Sequence, residues 1–327
     1  MKDNHYTNSR RRTPWDDLRI LSSLESFIRD IYHERYDRKH LKLIYTNEDL
    51  IINSHAPKGC PYCGGHFKMN GYTSNRIQRY KCLECSKTFT PVTGTLFEDH
   101  KISIEEWIDF LYELLSYESF SNISRNNKNS LNTTIYWLNK LFLILEHFSD
   151  DIILEGNVYI DETFYTLRSE DIKVKDDGKK PRGLSLNKMC IGIGYDGIHT
   201  YARYEGLGKT SKRKTRLAFK DHINIGSHLI HDKEKSHSIL ADELHLTSET
   251  YDSKAIKGLP DDKNPLEPIN RKCYYLKSFL NSHQGFNRDN IDDLVNLFLF
   301  IDNPPHNKLE KIKILLDMIF DTQVRLK

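Results

Sequence analysis

The hydrophobic pattern along the first half of the chain is helical in two regions. Between residues 15 and 43 apolar residues recur three and four positions apart, which predicts one amphipathic helix or two. Ser103 and Glu106 form a capping box that opens the second region, residues 98–150. Within it a short apolar segment around Phe120 separates two longer helices, which predicts a helix-turn-helix-like module. A plain three-helix bundle without DNA binding fits the same pattern.

Past residue 150 the pattern changes to short apolar runs that alternate with helices. These runs predict five strands, at residues 158–160, 189–195, 200–204, 228–231 and 249–251. Asp196-Gly197 between the second and third strands is typical of a hairpin turn. The last helices are predicted at residues 267–283, 289–302 and 308–325. This order predicts a mixed α/β sheet flanked by helices, in which the first and fourth strands are neighbours.

Composition describes a protein without a membrane span. The chain has 327 residues, 38% of them hydrophobic and 29% charged, and its net charge is only +2. Its longest apolar runs, such as 297–301, fall far short of the roughly 20 residues that a span needs. The first fourteen residues are polar and basic and should be disordered, so neither secretion nor a membrane partner is expected.

Four of the six cysteines form two C-x2-C pairs, Cys60 with Cys63 and Cys82 with Cys85. Two such pairs complete a tetrahedral zinc site, and a site closed by four thiolates is structural. We therefore predict a zinc ribbon over residues 53–97, with four unliganded core cysteines as the alternative. The remaining pair, Cys190 and Cys273, should be core residues.

Local charge indicates candidate DNA-binding surfaces. From residue 58 to residue 87 there are six basic residues and one acid, a local charge of 6 − 1 = +5, with Tyr72, Tyr80 and Phe89 interleaved. The helix-turn-helix-like module and a basic helix at 211–222 add further cations. The alternative for each region is a solvated face. The candidates are Arg76, Arg79, Lys81, Arg125, Lys128, Lys212, Arg213, Lys214 and Arg216.

An acidic pair, Asp161-Glu162, stands at the C-terminal end of the first predicted strand, and Asp232 ends the fourth. Neighbouring strands are about 4.8 Å apart, so Asp161 and Asp232 can reach one divalent cation. Carboxylates of this kind suit Mg²⁺ or Mn²⁺ bound together with substrate phosphates. Glu162 should point to the opposite face and be structural. The plain alternative is a strand followed by an acidic turn.

A third ligand is expected from the helix predicted to begin near Pro268. Asn270 and Lys277 lie two turns apart on one face of it, where Asn270 would give an oxygen to the metal and Lys277 would hold a DNA phosphate. Glu267, at the helix entrance, is the alternative third ligand. Helix capping by Asn270 and a solvated face at Lys277 are the structural alternatives.

The order of these motifs resembles the zinc-ribbon insertion-sequence transposases of the ISXO-like group. The resemblance covers about residues 55–320. It rests on the ribbon, on Asp161-Glu-Thr-Phe, on Leu229-Ile-His-Asp232 with Ser236-His237, and on the stretches Asn264-Pro-Leu-Glu-Pro-Ile-Asn270, Leu276-Lys277-Ser-Phe-Leu, His283-Gln-Gly-Phe-Asn-Arg-Asp289, Asn296-Leu-Phe and Asn303-Pro-Pro305.

The resemblance implies an RNase H-like catalytic domain with an Asp, Asp, Asn and Lys pattern. The matching residues are Asp161, Asp232, Asn270 and Lys277, and many relatives of the wider group have Glu where this chain has Asn270. It further implies Mg²⁺-dependent cleavage at element ends, joining of the 3′-OH to target DNA, and a homo-oligomer. No nucleotide cofactor is implied, and the expected location is the bacterial cytoplasm, with nucleoid association on DNA.

Four domains are therefore expected: an N-terminal helical segment (1–52), a zinc ribbon (53–97), a helix-turn-helix-like module (98–150) and the catalytic domain (151–327). Two other functions remain open. The chain could be an inert or repurposed DNA-binding protein derived from a transposase, or an RNase H-like nuclease without strand transfer. Inverted repeats and short target duplications around the gene would favour the transposase.

Overall fold

The computed structural model describes residues 20, 22–30, 48–98, 103–174, 176–177, 181 and 183–321. The backbone divides into two compact units, Met1–Thr93 and Gly94–Lys327. The helical module and the mixed sheet, predicted as separate domains, both fall in the second unit. The four domain boundaries stay predictions. None of the helices in the described ranges is long and apolar enough to span a membrane.

The first unit contains a small antiparallel sheet. Residues 23–30 are helical, and the rest of the helix predicted for 15–43 lies almost entirely outside the described residues. Helix α1 is followed by three strands in the order β1-β2-β3. Their cysteines and aromatic side chains form a separate small core. The elements are α1 (Glu48–Ser54), β1 (Phe67–Tyr72), β2 (Gln78–Cys82) and β3 (Thr88–Phe89).

Three helices begin the second unit, as the apolar pattern and the one capping box predicted: α2 (Ile104–Leu114), α3 (Phe120–Asn126) and α4 (Leu131–Leu145). Each begins after a serine whose hydroxyl accepts a hydrogen bond from a backbone N–H three residues on. Trp107 of α2 stacks on Trp137 of α4 with 5.3 Å between ring centroids. Capping and this aromatic core account for the three-helix arrangement.

A five-stranded mixed sheet follows, with the strand order β6-β5-β4-β7-β8. The first three strands pair antiparallel, whereas β7 pairs in parallel with both β4 and β8. The mixed sheet is confirmed, as is the adjacency of the first and fourth strands. The strands are β4 (Asn157–Thr166), β5 (Lys188–Tyr195), β6 (Thr200–Leu207), β7 (His228–Asp232) and β8 (Thr247–Tyr251).

Helices cover both faces of this sheet. Val158 and Ile160 of β4 face a core that contains Phe219 of α5 and Leu240 of α6. On the other face the hydroxyl of Tyr165 donates to the carbonyl of Leu280 in α7 at 3.1 Å. The helices are α5 (Lys212–Phe219), α6 (Ser238–Glu243), α7 (Glu267–Ser282), α8 (Ile291–Asp302) and α9 (Lys308–Asp321).

The first strand is longer than predicted, and Asp161 does not end it. Strand β4 continues to Thr166 because its pairing with β5 extends from Tyr159 to that residue. Its pairing with β7 stops at Ile160, opposite His231. Asp161 therefore stands where the parallel pairing ends, inside the strand, whereas Asp232 ends β7 as predicted.

Candidate active site and metal centres

Asp161 and Asp232 occupy equivalent positions on neighbouring parallel strands. Ile160 and His231 form the last registered pair, and the two aspartates come next along β4 and β7. Asp161 accepts a hydrogen bond on Oδ1 from the backbone N–H of Glu162 at 2.7 Å, and Asp232 accepts one on Oδ1 from that of Glu234 at 2.9 Å. No described group donates to either Oδ2. Each carboxylate therefore keeps an oxygen for a ligand.

The electrostatics around Asp161 favour a bound cation. Burial raises the pKa of Asp161 to about 7, against an ordinary value of 3.8. The charges of Glu162 and Asp232 raise this pKa further, and the hydrogen bond from the Glu162 backbone lowers it. A divalent cation would remove the repulsion between these carboxylates, and hard oxygen donors suit Mg²⁺ or Mn²⁺. The donor set therefore fits such an ion.

Helix α7 faces Asp161 through Cys273. The Cys273 thiol is buried, and its pKa is raised by burial first and then by the charge of Asp161. Asn270 and Lys277 lie three residues before and four after Cys273, on the same side of the helix, and both are exposed. This places the two predicted residues one turn to either side of Cys273. Their roles stay predictions.

Glu267, the alternative third ligand, forms an ion pair within its own helix. Its Oε1 accepts an ion pair from the Arg271 guanidinium at 2.9 Å, one turn along α7. The choice between Asn270 and Glu267 as third ligand stays a prediction.

The other predicted core cysteine, Cys190, is buried on β5, as expected.

Sequence reasoning missed a buried hydrogen-bond chain beside the aspartates. His237 Nε2 lies 2.9 Å from Glu162 Oε1, and its Nδ1 lies 3.0 Å from Nδ1 of His231. His231 Nε2 continues the chain to the hydroxyl of Ser248 on β8 at 3.0 Å. The chain joins β4, β7 and β8 on the face opposite α7. Its sequence signals are the polar residues Glu162 and His231 in apolar strands and the Ser236-His237 pair, none of which shows which groups bond to each other.

The two hydrogen-bonded histidines also belong to a second group of potential metal ligands. The ligand atoms of His231, Asp232 and His237 all lie within 4.8 Å of one another. His237 and His231 are both buried and already bonded to each other and to Glu162 and Ser248. Every described ring nitrogen of this group therefore has a partner without an ion.

The four clustered cysteines lie together in the first unit. Their sulfur atoms are all within 4.8 Å of one another, with 3.6 Å from Cys60 to Cys85 and 3.5 Å from Cys63 to Cys82. A tetrahedral Zn²⁺ with bonds of about 2.3 Å needs sulfur separations of about 3.8 Å. Backbone N–H groups of Cys85 and Glu84 lower the pKa of Cys82 to about 6. For Cys63 a hydrogen bond from the Gly65 backbone lowers the pKa, but the neighbouring thiols and burial raise it to about 12. The cluster therefore fits zinc.

The ribbon's basic candidates are exposed, but its aromatic residues are mostly internal. Arg79 and Lys81 alternate with buried residues along β2, so they share one open face. Arg76 pairs with Asp49 at 3.1 Å. The predicted aromatic surface is wrong for Tyr80 and Phe89, which are buried against each other, because the ribbon needs them as its core.

The other basic candidates differ in how free they are. In α5, Lys212 and Arg213 are exposed, whereas Lys214 donates to two backbone carbonyls and Arg216 forms an ion pair with Glu243 at 2.6 Å. Intramolecular partners therefore occupy half of this predicted patch. In the helical module, Arg125 lies in the last turn of α3 and donates to the side chain of Asn122, and Lys128 lies in the turn before α4.

Comparisons with known proteins give one partial relative. No family model matches the chain. It is 30% identical over 128 residues to an uncharacterized protein in transposable element ISH50 of Halobacterium salinarum. That match covers 38% of this chain and 42% of the relative's length. The relative is therefore matched over less than half of its sequence.

Solved structures resemble this chain only weakly. A chain from the simian T-cell lymphotropic virus intasome bound to PP2A regulatory subunit B56 gamma matches 46% of this chain and 48% of its own length, at 8% identity and a TM-score of 0.28. The Mos1 transposase paired-end complex with left transposon end matches 64% of this chain and 78% of that one, at 11% identity and a TM-score of 0.22. Similarity at these scores carries no argument about function.

Proposed function

We propose that the chain is a DNA transposase that cuts insertion-sequence ends with a divalent metal ion and joins the 3′-OH to target DNA. The observation that carries this proposal is the placement of Asp161 and Asp232 at equivalent positions on parallel neighbours β4 and β7. The partial similarity to a protein in a transposable element supports it. The mixed sheet then corresponds to an RNase H-like domain.

In this proposal the four predicted catalytic residues bind either the metal ion or the DNA. Asp161 and Asp232 hold the cation through their open oxygens, and Asn270 supplies a neutral oxygen from α7. Lys277 binds a DNA phosphate as a point charge. The cation, when bound, would activate water and then a DNA 3′-OH for in-line attack at phosphorus. No covalent bond between enzyme and DNA is needed.

The first unit contributes DNA binding rather than chemistry. The four cysteines hold a structural Zn²⁺, and Arg79 and Lys81 contact DNA phosphates from the open face of β2. Arg76 belongs to the same unit, and Arg125, Lys128 and the basic residues of α5 are proposed as separate DNA contacts of the second unit. Synapsis of two element ends requires at least a dimer. In this proposal the protein acts in the bacterial cytoplasm and associates with the nucleoid when it binds DNA.

An assay of end cleavage and strand transfer tests the proposal. The substrate is duplex DNA that carries the repeats flanking the gene, with Mg²⁺ and the full chain. We expect wild type to cut and join, and Asp161→Ala and Asp232→Ala each to lose both activities. Lys313→Ala, on an exposed lysine of α9, is the matched control. Activity that survives either aspartate substitution contradicts the site.

The same assay separates the alternative functions. Cleavage without joining would identify a nuclease, and DNA binding without cleavage would identify an inert or repurposed relative of transposases. Binding alone is followed by gel shift with the same duplex. The transposase proposal requires joined product whose formation depends on both aspartates.

A further inference from the structure

A cavity of about 410 Å³ opens beside the end of β4. Three segments line it: residues 164–166 of β4, the loop that follows this strand, and α7 together with the turn after that helix. Three of its lining side chains are cationic, and none carries a carboxylate. The lining residues used below are Phe164, Tyr165, Arg168, Lys277, Asn281 and Arg288.

Two of the cations are fixed in place by the chain itself. The Arg168 guanidinium donates to the carbonyls of Phe286 at 2.6 Å and Gly285 at 2.9 Å. Arg288 stacks over the rings of Phe286 at 4.1 Å and Tyr165 at 5.0 Å. Guanidinium groups held in this way lose little entropy when they bind an oxyanion. The cavity is therefore preorganised for an anion.

Much of the positive charge in the cavity is uncompensated. Within the described residues, Lys277 has no hydrogen bond or ion pair. Arg288 forms no ion pair there, although the charge of Asp171, outside the cavity lining, acts on it. The buried Nε of Arg288 lacks a hydrogen-bond acceptor. Arg168 pairs only with the exposed Glu170, at 3.4 Å. An exposed pair of this kind contributes little and leaves the Arg168 charge available.

The cavity lies along the same strand as Asp161. Phe164 is three residues further along β4, which corresponds to roughly 10 Å at the usual rise of a strand. Lys277 stands one turn after Cys273, the α7 residue that faces Asp161. Along β4 the cavity therefore begins a short distance from the proposed cleavage site.

We propose that this cavity binds a phosphodiester and its nucleotide from one DNA strand, next to the bond that is cut. This inference rests on the proposed function. The volume suits one nucleotide and excludes a duplex. Clustered cations of this kind suit the backbone of single-stranded DNA, since each phosphate can pair with a positive side chain. Asn281 adds an amide that can bond to a base or sugar.

Binding of a labelled single-stranded oligonucleotide to the full chain, measured without Mg²⁺ at several salt concentrations, tests the inference. We expect Arg288→Gln to weaken binding about tenfold and to reduce the salt slope by about 0.7, the value for one phosphate contact on a single strand. Lys277→Gln should do the same. Because that side chain is exposed and has no described hydrogen bond, its loss should not disturb folding.

The control and the competitors make the result specific. Lys313→Gln removes an exposed cation of α9 outside the cavity and should leave both affinity and slope unchanged. A thymidine dinucleotide should displace the oligonucleotide from wild type at lower concentration than inorganic phosphate does. Equal displacement by phosphate would reassign the cavity to a free anion and overturn the inference.

A wild-type salt slope in both cavity variants would also overturn it. The measurement involves no cleavage, so its outcome is independent of the proposed reaction. If binding is unaffected while cleavage still requires Asp161, only the cavity assignment fails. If the cavity variants lose binding while no variant or wild type cleaves DNA, only the proposed function fails.

Discussion

His237 and Glu162 form a buried hydrogen bond of 2.9 Å between Nε2 and Oε1, directly behind the aspartate pair. The His237 side chain is fully buried and that of Glu162 is 7% exposed. Burial alone lowers the pKa of His237, but the hydrogen bond and charge of Glu162 outweigh it, and the pKa is raised. Glu162 was predicted to be structural on the face opposite Asp161. It lies on that face and binds a histidine 75 residues away.

Removal of one partner of this pair should be costly. His237→Ala leaves the Glu162 carboxylate buried and unpaired, so we expect a loss of about 3–5 kcal/mol in the free energy of unfolding. Glu162→Gln keeps an oxygen that accepts from His237 and should cost less. Urea unfolding of the single and double variants measures both values and their coupling. His237→Ala within about 0.5 kcal/mol of wild type would show that the pair does not contribute.

Stability should depend on pH through Asp161. Because the pKa of Asp161 is raised from 3.8 to about 7, the folded chain binds a proton that the unfolded chain has lost between those values. The free energy of unfolding contributed by this group therefore falls as pH rises through that window.

Asp161→Asn removes this dependence and keeps the oxygen that accepts from the Glu162 backbone. Without added divalent cation, the variant should exceed wild type in stability at pH 8, by on the order of 2–4 kcal/mol. The advantage should shrink toward pH 4. Urea unfolding at several pH values measures it, and a constant difference across the range would contradict the raised pKa.

The third metal ligand can be decided by two substitutions on one helix. Asn270→Ala should abolish metal-dependent cleavage, because its exposed amide is free to reach the cation. Glu267→Ala should retain most cleavage and lose only the pair with Arg271, worth about 0.3–0.5 kcal/mol. Cleavage at saturating Mg²⁺ measures both variants. The reverse pattern would assign the ligand to Glu267.

The cysteine cluster predicts a defined metal content. Purified protein should contain one zinc per chain by mass spectrometry, and Cys60→Ser should contain less, because four thiolates are needed for a closed site. Loss of zinc should also unfold the ribbon, since small sites of this kind fold with their metal. Cys190→Ser serves as the control, because Cys190 lies in the second unit. Wild type without zinc would reject the assignment.

Local sequence patterns were sufficient to predict the parts of the fold that depend on near neighbours. The capping box of Ser103 and Glu106 predicted the start of α2, and Asp196-Gly197 predicted the turn between β5 and β6. The apolar runs around Ile160 and Leu229 predicted two strands of one buried sheet. The predicted adjacency of these two strands is confirmed, and it brings Asp161 and Asp232 to equivalent positions.

Features that depend on distant residues could not be predicted in this way. The polar residues Asp161, Glu162 and Thr163 concealed the second half of β4, which is held by pairing with β5. The partner of Glu162 lies on a different element and has no periodicity to mark it. The cavity combines distant segments, since Arg168 and Arg288 are 120 residues apart in the sequence (288 − 168).

Metal dependence of an Asp161→Cys variant tests the central claim most directly. A thiolate is a poor ligand for Mg²⁺ and a better one for Mn²⁺, because Mn²⁺ is the softer of the two ions. We predict that wild type cuts element-end DNA with either ion, that Asp161→Cys cuts only with Mn²⁺, and that Asp161→Ala cuts with neither. Cleavage by Asp161→Cys that is equal in Mg²⁺ and Mn²⁺ would contradict metal binding by Asp161.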